Sequence, residues 1–138
     1  MNAIITARAS CKDIGRPLAY FEERQILLDC RGEVHIHADS HWGFRCMVLT
    51  SSHDISDGDF GRVFKRKVIV ERGVWIGSGV ILYNCVVGEN SVVSVGSVLK
   101  NVIVPPNCLI DGNPAKIIAV FQDEHWFKLD KSIELSRF

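Results

Sequence analysis

The chain has 138 residues, 47% of them hydrophobic, enough to bury the core of one domain and too few to argue for two. Its sixteen Lys and Arg balance sixteen Asp and Glu, which excludes a global field that would gather nucleic acid or an anionic membrane surface. No run reaches the roughly 20 apolar residues that cross a bilayer, and the first residues lack the apolar stretch of a secretory signal. The expectation is therefore one cytoplasmic domain over residues 1–138, with no nucleic acid partner and no membrane insertion. Its five cysteines (Cys11, Cys30, Cys46, Cys85 and Cys108) are odd in number and carry no CxxC spacing, which reads as reduced, packing thiols.

Residues 1–25 have no six-residue period, and Gly15-Arg16-Pro17 breaks a helix there; they read as an irregular lead-in with room for one short strand. From Gly32 a repeat begins. Ile36, Trp42 and Val48 stand six apart, and Ser40, Cys46 and Ser52 follow each by four. Trp42 is large for an inward corner and suits an open end of whatever the repeat builds. Residues 54–67, DISDGDFGRVFKRK, interrupt the pattern with Asp, Ser and Gly and then a basic run, the composition of a projecting loop, and such loops on rigid scaffolds often carry function.

The repeat resumes over Val70, Ile76, Leu82, Val87, Val93 and Leu99. A second column, Val74, Val80, Val86, Ser91 and Ser97, is preceded by Gly73, Gly79, Cys85, Asn90 and Gly96, and Gly and Asn enter left-handed turns at least cost. A period of six fits neither helix nor simple strand; it predicts an all-β solenoid, a parallel β-helix of triangular section with about eighteen residues per coil, spanning about 26–119. Pro105-Pro106 removes two N–H donors and ends strand pairing. Residues 120–138 mix charge and apolar groups as an amphipathic C-terminal helix would, one that caps the last coil.

Three segments together carry a likeness: TSSHD before the loop, WIGSG, and GNPAK after Pro-Pro. The chain over Gly32 to Ala119 resembles the hexapeptide-repeat acyltransferases, and among them the O-acetyltransferases of galactosides, maltose and bacterial exopolysaccharides, colanic-acid type included. The resemblance implies left-handed winding, a homotrimer with sites between subunits, acetyl coenzyme A as donor, and a sugar or glycan precursor as acceptor. Two other readings share the repeat: an N-acetyltransferase on a nucleotide amino sugar, and a non-catalytic hexapeptide scaffold subunit.

By the same resemblance His53 is the general base. The chemistry agrees, because an imidazole with an ordinary pKa near 6.5 can take the proton of a hydroxyl as it attacks a thioester. Ser78 and Val95 match positions whose backbone meets the pantetheine arm. Lys100 and Lys116 match the neighbourhood of basic residues at the nucleotide phosphates. On the acceptor side Glu23 falls where galactoside enzymes carry an asparagine in an early strand; Asp54, Asp57 and Asp59 offer carboxylates to hydroxyls, and Trp75 an apolar platform.

His35 precedes His53 by eighteen residues, one coil, so the two rings are expected to stack and a like charge to hold His53 neutral. His35, His37, His41 and His53 also raise the zinc site of the γ-class carbonic anhydrases. His41 falls on another face, no later coil supplies a ligand, and no metal is expected.

Overall fold

The structure is a computed structural model and describes residues 5–56 and 58–138; the expectation for Asp57 falls outside the described residues. After β1 (Ile5–Thr6), a 3-10 turn and α1 (Leu18–Glu23), the chain winds through four coils. The first holds β2 (Leu27–Asp29), β3 (Glu33–Ile36) and β4 (His41–Trp42). The second holds β5 (Met47–Leu49), an excursion through β6 (Ser51–His53) and β7 (Val63–Lys65), then β8 (Lys67–Val70) and β9 (Trp75–Ile76). The third is β10 (Ile81–Val87) and β11 (Val92–Val93), the fourth β12 (Val98–Val104) and β13 (Cys108–Gly112).

Three parallel ladders result. On the first face Leu28, Val48, Leu82 and Leu99 align, and on the second Ile36, Val70, Val87 and Val104. On the third, Trp42, Ile76, Val93 and Ile110 align. All twelve are buried, each burial being worth about 1.5–3 kcal/mol. The six-residue aliphatic period is thus the inward column of a three-sided coil.

The coil repeats at seventeen residues rather than eighteen, first where Val70 pairs Val87 and Trp75 pairs Val92 and again where Ile81 pairs Val98 and Val92 pairs Leu109. The lost residue explains why Cys85 breaks the Gly and Asn column. Asn84 takes the left-handed corner, at φ 49°, and Asn101 takes it one coil later, at 58°. Cys85 then points inward and is fully buried while Val86 turns outward.

Both ends of the prism differ from expectation. The lead-in contains a helix, because Pro17 at φ −58° sits at its N-terminal boundary, where a fixed φ and a missing N–H cost nothing. Phe21 of α1 is fully buried, its ring 5.9 Å from that of Trp42, so the helical cap covers the first coil and gives the large indole its place. At the other end the expected C-terminal helix is instead β-structure: β14 (Ala115–Gln122), β15 (His125–Glu134) and β16 (Ser136–Arg137). Ala115, Ile117 and Ala119 are buried at a period of two, the strand period. β14 runs antiparallel on the open edge of β13 and β15 on β14. Asp123 and Glu124, read as helical charge, are the turn, at φ 51° and 66°, as a two-residue hairpin requires.

The cysteines also divide. Cys11 and Cys30 form a disulfide that fastens the lead-in to the end of β2, correcting the reading of five reduced thiols. Cys46, Cys85 and Cys108 are free and buried; burial raises all three, Cys85 to about 12, which makes them inert packing groups. Among the described residues no helix is long and apolar enough to cross a membrane.

Candidate active site

The chain leaves the prism at Thr50, and a buried carboxylate organises the exit. Asp29, only 2% exposed, accepts hydrogen bonds from the Arg31 guanidinium at 2.9 Å, the Ser51 hydroxyl at 2.8 Å and the Thr50 N–H at 3.3 Å. Its own carbonyl accepts the Thr50 hydroxyl at 2.7 Å. Burial pushes the Asp29 carboxyl up, but these donors outweigh it and hold the group at about 2. From this root β6 and β7 pair antiparallel, Ser51 with Lys65 and His53 with Val63.

At the far end of β6 the ring of His53 is exposed, and its Nδ1 lies 2.6 Å from the Phe60 carbonyl oxygen. A carbonyl only accepts, so Nδ1 carries the proton and Nε2 presents its lone pair. Among the described residues Nε2 has no partner. The hairpin thereby delivers an oriented imidazole base to solvent.

The stacking of His35 on His53 does not occur. The excursion begins between the first and second faces, before the chain reaches the position over His35, and the residue paired with His35 is Ile69. His35 is held instead by Asp13 at 2.6 Å and Glu33 at 2.9 Å, which raise its pKa. His37 Nδ1 accepts the Asp39 N–H, and no group of three or more His, Cys, Asp or Glu is placed to hold a metal ion among the described residues.

Asp54 follows His53 and is occupied locally. Its Oδ1 accepts the Ser56 hydroxyl and N–H, which lower its pKa, and Arg62 stands 3.9 Å away. Asp59 accepts the Gly61 N–H. Both act as turn formers. Trp75 lies on the third face, 57% exposed, its ring tilted over His41 at 5.6 Å. Glu23 ends α1, exposed, rather than lying in a strand.

Ser78 and Val95 occupy equivalent corners of consecutive coils. The Ser78 hydroxyl accepts the Phe44 N–H at 2.9 Å and its carbonyl the Gly96 N–H, so its side chain is structural; Val95 is 70% exposed. Lys100 and Lys116 are brought together around a cavity of about 150 Å³, beside Asn113, Pro114 and Arg137. Lys116 Nζ is 3.6 Å from Glu134. Arg137 escaped the sequence reading because the repeat period says nothing about a tail that returns; β16 pairs antiparallel with β12, setting Arg137 opposite Val102.

No family model matches the chain. A galactoside O-acetyltransferase of Lactococcus lactis is 33% identical over 102 residues, covering 70% of this chain and 49% of that relative. Among solved structures, a maltose O-acetyltransferase from Clostridium difficile gives a TM-score of 0.63 at 24% identity, covering 72% of this chain and 54% of the other, a likeness of fold. A hexapeptide-repeat containing acetyltransferase from Vibrio cholerae, complexed with acetyl coenzyme A, gives 0.53 at 25% identity over 74% of this chain and 52% of its own. The chain spans about half the length of these relatives.

Proposed function

This chain belongs to the hexapeptide-repeat acetyltransferase family, and from that premise we propose that it moves an acetyl group from acetyl coenzyme A to a hydroxyl of a sugar or glycan precursor. The observation that carries the reading is the His53 Nδ1 contact with the Phe60 carbonyl. With Nδ1 protonated, Nε2 takes the proton of the acceptor hydroxyl as its oxygen attacks the thioester carbonyl. The tetrahedral adduct then collapses, the C–S bond breaks, and the thiolate leaves with the proton returned from the imidazolium. Transfer is direct, without an acyl-enzyme.

In this reading Lys100 and Lys116 meet the nucleotide phosphates of the donor; the cavity that joins them supports it. The backbone at Ser78 and Val95 lines the pantetheine arm. Asp54, Trp75 and Glu23 belong to the acceptor side, Trp75 with the best support because its ring is exposed. The coil winds left-handed, and three copies assemble with sites between them. Exposed Ile55, Phe60 and Val63 around His53 favour such a neighbour. A cytoplasmic setting is part of the same proposal, and the Cys11–Cys30 bond is the feature that speaks against it, since such bonds persist in oxidising compartments.

Thiol release from acetyl coenzyme A, measured against a panel of sugars and amino sugars, tests the reading. Acceleration by hydroxyl acceptors is the expected outcome; acceleration by amino sugars alone assigns N-acetylation, and none above hydrolysis makes the chain a scaffold.

A further inference from the structure

The chain is neutral overall, yet its cations are not evenly spread. Beside the root of the hairpin an open depression of about 470 Å³ is lined by Arg31, Glu33, Lys65, Arg66, Lys67 and Asn84. A second of similar size adjoins it through Arg66 and Asn84 and continues past Asn101 to Arg137. The two form one groove along the corner between the first and second faces, where Asn84 and Asn101 make their left-handed turns. Strands β8, β10, β12 and β16 lie side by side here, so at about 4.8 Å per strand the groove runs about 14 Å from Lys67 to Arg137.

The carboxylates of this region are already engaged. Asp29 is held by Arg31, Glu33 by His35 and Glu134 by Lys116. Among the described residues Lys65, Arg66, Lys67 and Arg137 have no carboxylate within ion-pair distance. Four cations without a direct ion pair, set against one lining carboxylate, Glu33, opposite Lys67, leave the groove net positive in a neutral chain, and an anionic ligand would relieve their mutual repulsion.

The groove also carries hydroxyl-binding groups. The Asn84 side-chain N–H donates to the Asn101 side-chain oxygen at 2.9 Å, which leaves an acceptor on Asn84 and a donor on Asn101 facing the same corner. Bare aromatic platforms, which single-stranded nucleic acid uses, are lacking: Phe64 carries Arg66 at 4.8 Å and Arg62 at 5.6 Å, and Phe138 carries Lys67 at 5.1 Å. Cations alternating with amides suit a ligand with both negative charge and hydroxyls.

We propose that this groove, from Arg66 and Lys67 past Asn84 and Asn101 to Arg137, binds an acidic glycan, an acceptor that bears carboxylate or phosphate groups among its hydroxyls. The proposal rests on the acetyltransferase reading and narrows its acceptor. The groove begins where Lys65 pairs with Ser51, two residues from His53, so a chain held in it passes the root of the hairpin that carries the base.

Isothermal titration of the whole protein with oligogalacturonate, a phosphorylated oligomannoside, neutral maltoheptaose and an oligothymidylate separates the cases. At least one acidic glycan should bind, weaken with added salt and outcompete maltoheptaose; whether the carboxylated or the phosphorylated one binds identifies the charged group. The double variant Arg66→Gln, Lys67→Gln should lose about tenfold or more of that affinity, and Lys65→Glu, at an exposed position, should weaken it independently. Acetyl coenzyme A affinity should stay within about twofold in each. Equal binding of acidic and neutral glycans, binding of neither acidic glycan, unchanged affinity in the variants, or tighter binding of oligothymidylate would each overturn the proposal. Failure of the wild-type protein to bind acetyl coenzyme A, with acidic glycan still bound, would instead remove the acetyltransferase reading.

Discussion

In the coils, Val48, Leu82 and Leu99 stack in one parallel ladder with none of their surface exposed, whereas the hairpin β6–β7 pairs three residues with three and leaves Ser52, His53, Val63 and Lys65 to solvent. The coil is held from inside by burial; the hairpin is held from below, by the Asp29 cluster at its root. A two-stranded ribbon alone is marginal in water, so its geometry is borrowed from the prism. The division separates position from chemistry: the rigid coils fix where the hairpin stands, and the hairpin presents an imidazole that a packed ladder would bury.

That contrast predicts opposite responses to truncation. His53→Ala should cut turnover by about 10² to 10⁴, the range of a positioned general base, while thermal stability shifts by no more than about 0.5 kcal/mol, because an exposed side chain leaves no cavity. Near wild-type turnover with a true acceptor would end the general-base assignment. Leu82→Ala, by contrast, should cost about 2–5 kcal/mol in denaturant unfolding, and Val63→Ala in the hairpin should cost far less. Equal losses at the two positions would mean that the hairpin shares the core.

The joint between the two regions should be sensitive to acid. Asp29 sits at about 2 in the fold against an ordinary 3.8, so its contribution is present above the ordinary value and lost as pH falls through the folded value. On the order of 2 kcal/mol should disappear between about pH 4 and pH 2. In the Asp29→Asn variant that part of the pH dependence should be absent from unfolding curves, and turnover at neutral pH should fall as the hairpin loses its anchor.

The smallest effect belongs to His35, whose pKa is raised by Asp13 and then by Glu33. A raised histidine stabilises below its ordinary value near 6.5 and loses that contribution as pH rises through the folded value. Because the side chain is 43% exposed, the change should stay under about 1 kcal/mol. His35→Asn should abolish it and leave the pH–rate profile of turnover unmoved, since Asp13 and Glu33, and not His53, are its partners. A displaced profile would restore a coupling that the strand register does not provide.

Much of this was legible beforehand. The inward columns, the corner residues Gly73, Gly79, Asn90 and Gly96, the projecting loop and the family likeness all follow from local periodicity and short motifs, because each corner of a coil makes the same steric demand every six residues or so. Even the exception at Cys85 is visible as a missing residue in the spacing. The motif singles out His53, but its contact with the Phe60 carbonyl was not legible, because Phe60 lies across the loop.

What the sequence by itself determined is therefore what repeats: three faces, an aliphatic ladder on each, left-handed turns at Gly and Asn, and an insertion that interrupts the repeat. Tertiary structure decided what happens where the repeat stops. Residues 115–137 carry both helix-like charge and strand-like alternation, and the unpaired edges of β13 and β12 select the strand, since a free edge offers backbone partners that no isolated segment has. The same open first coil, needing cover for Trp42, recruits α1 after Pro17. Arg137 reaches Lys100 and Lys116, and Asp29 reaches Ser51, through contacts distant in sequence, and no local pattern encodes a pairing whose partner is chosen by the shape of the finished prism.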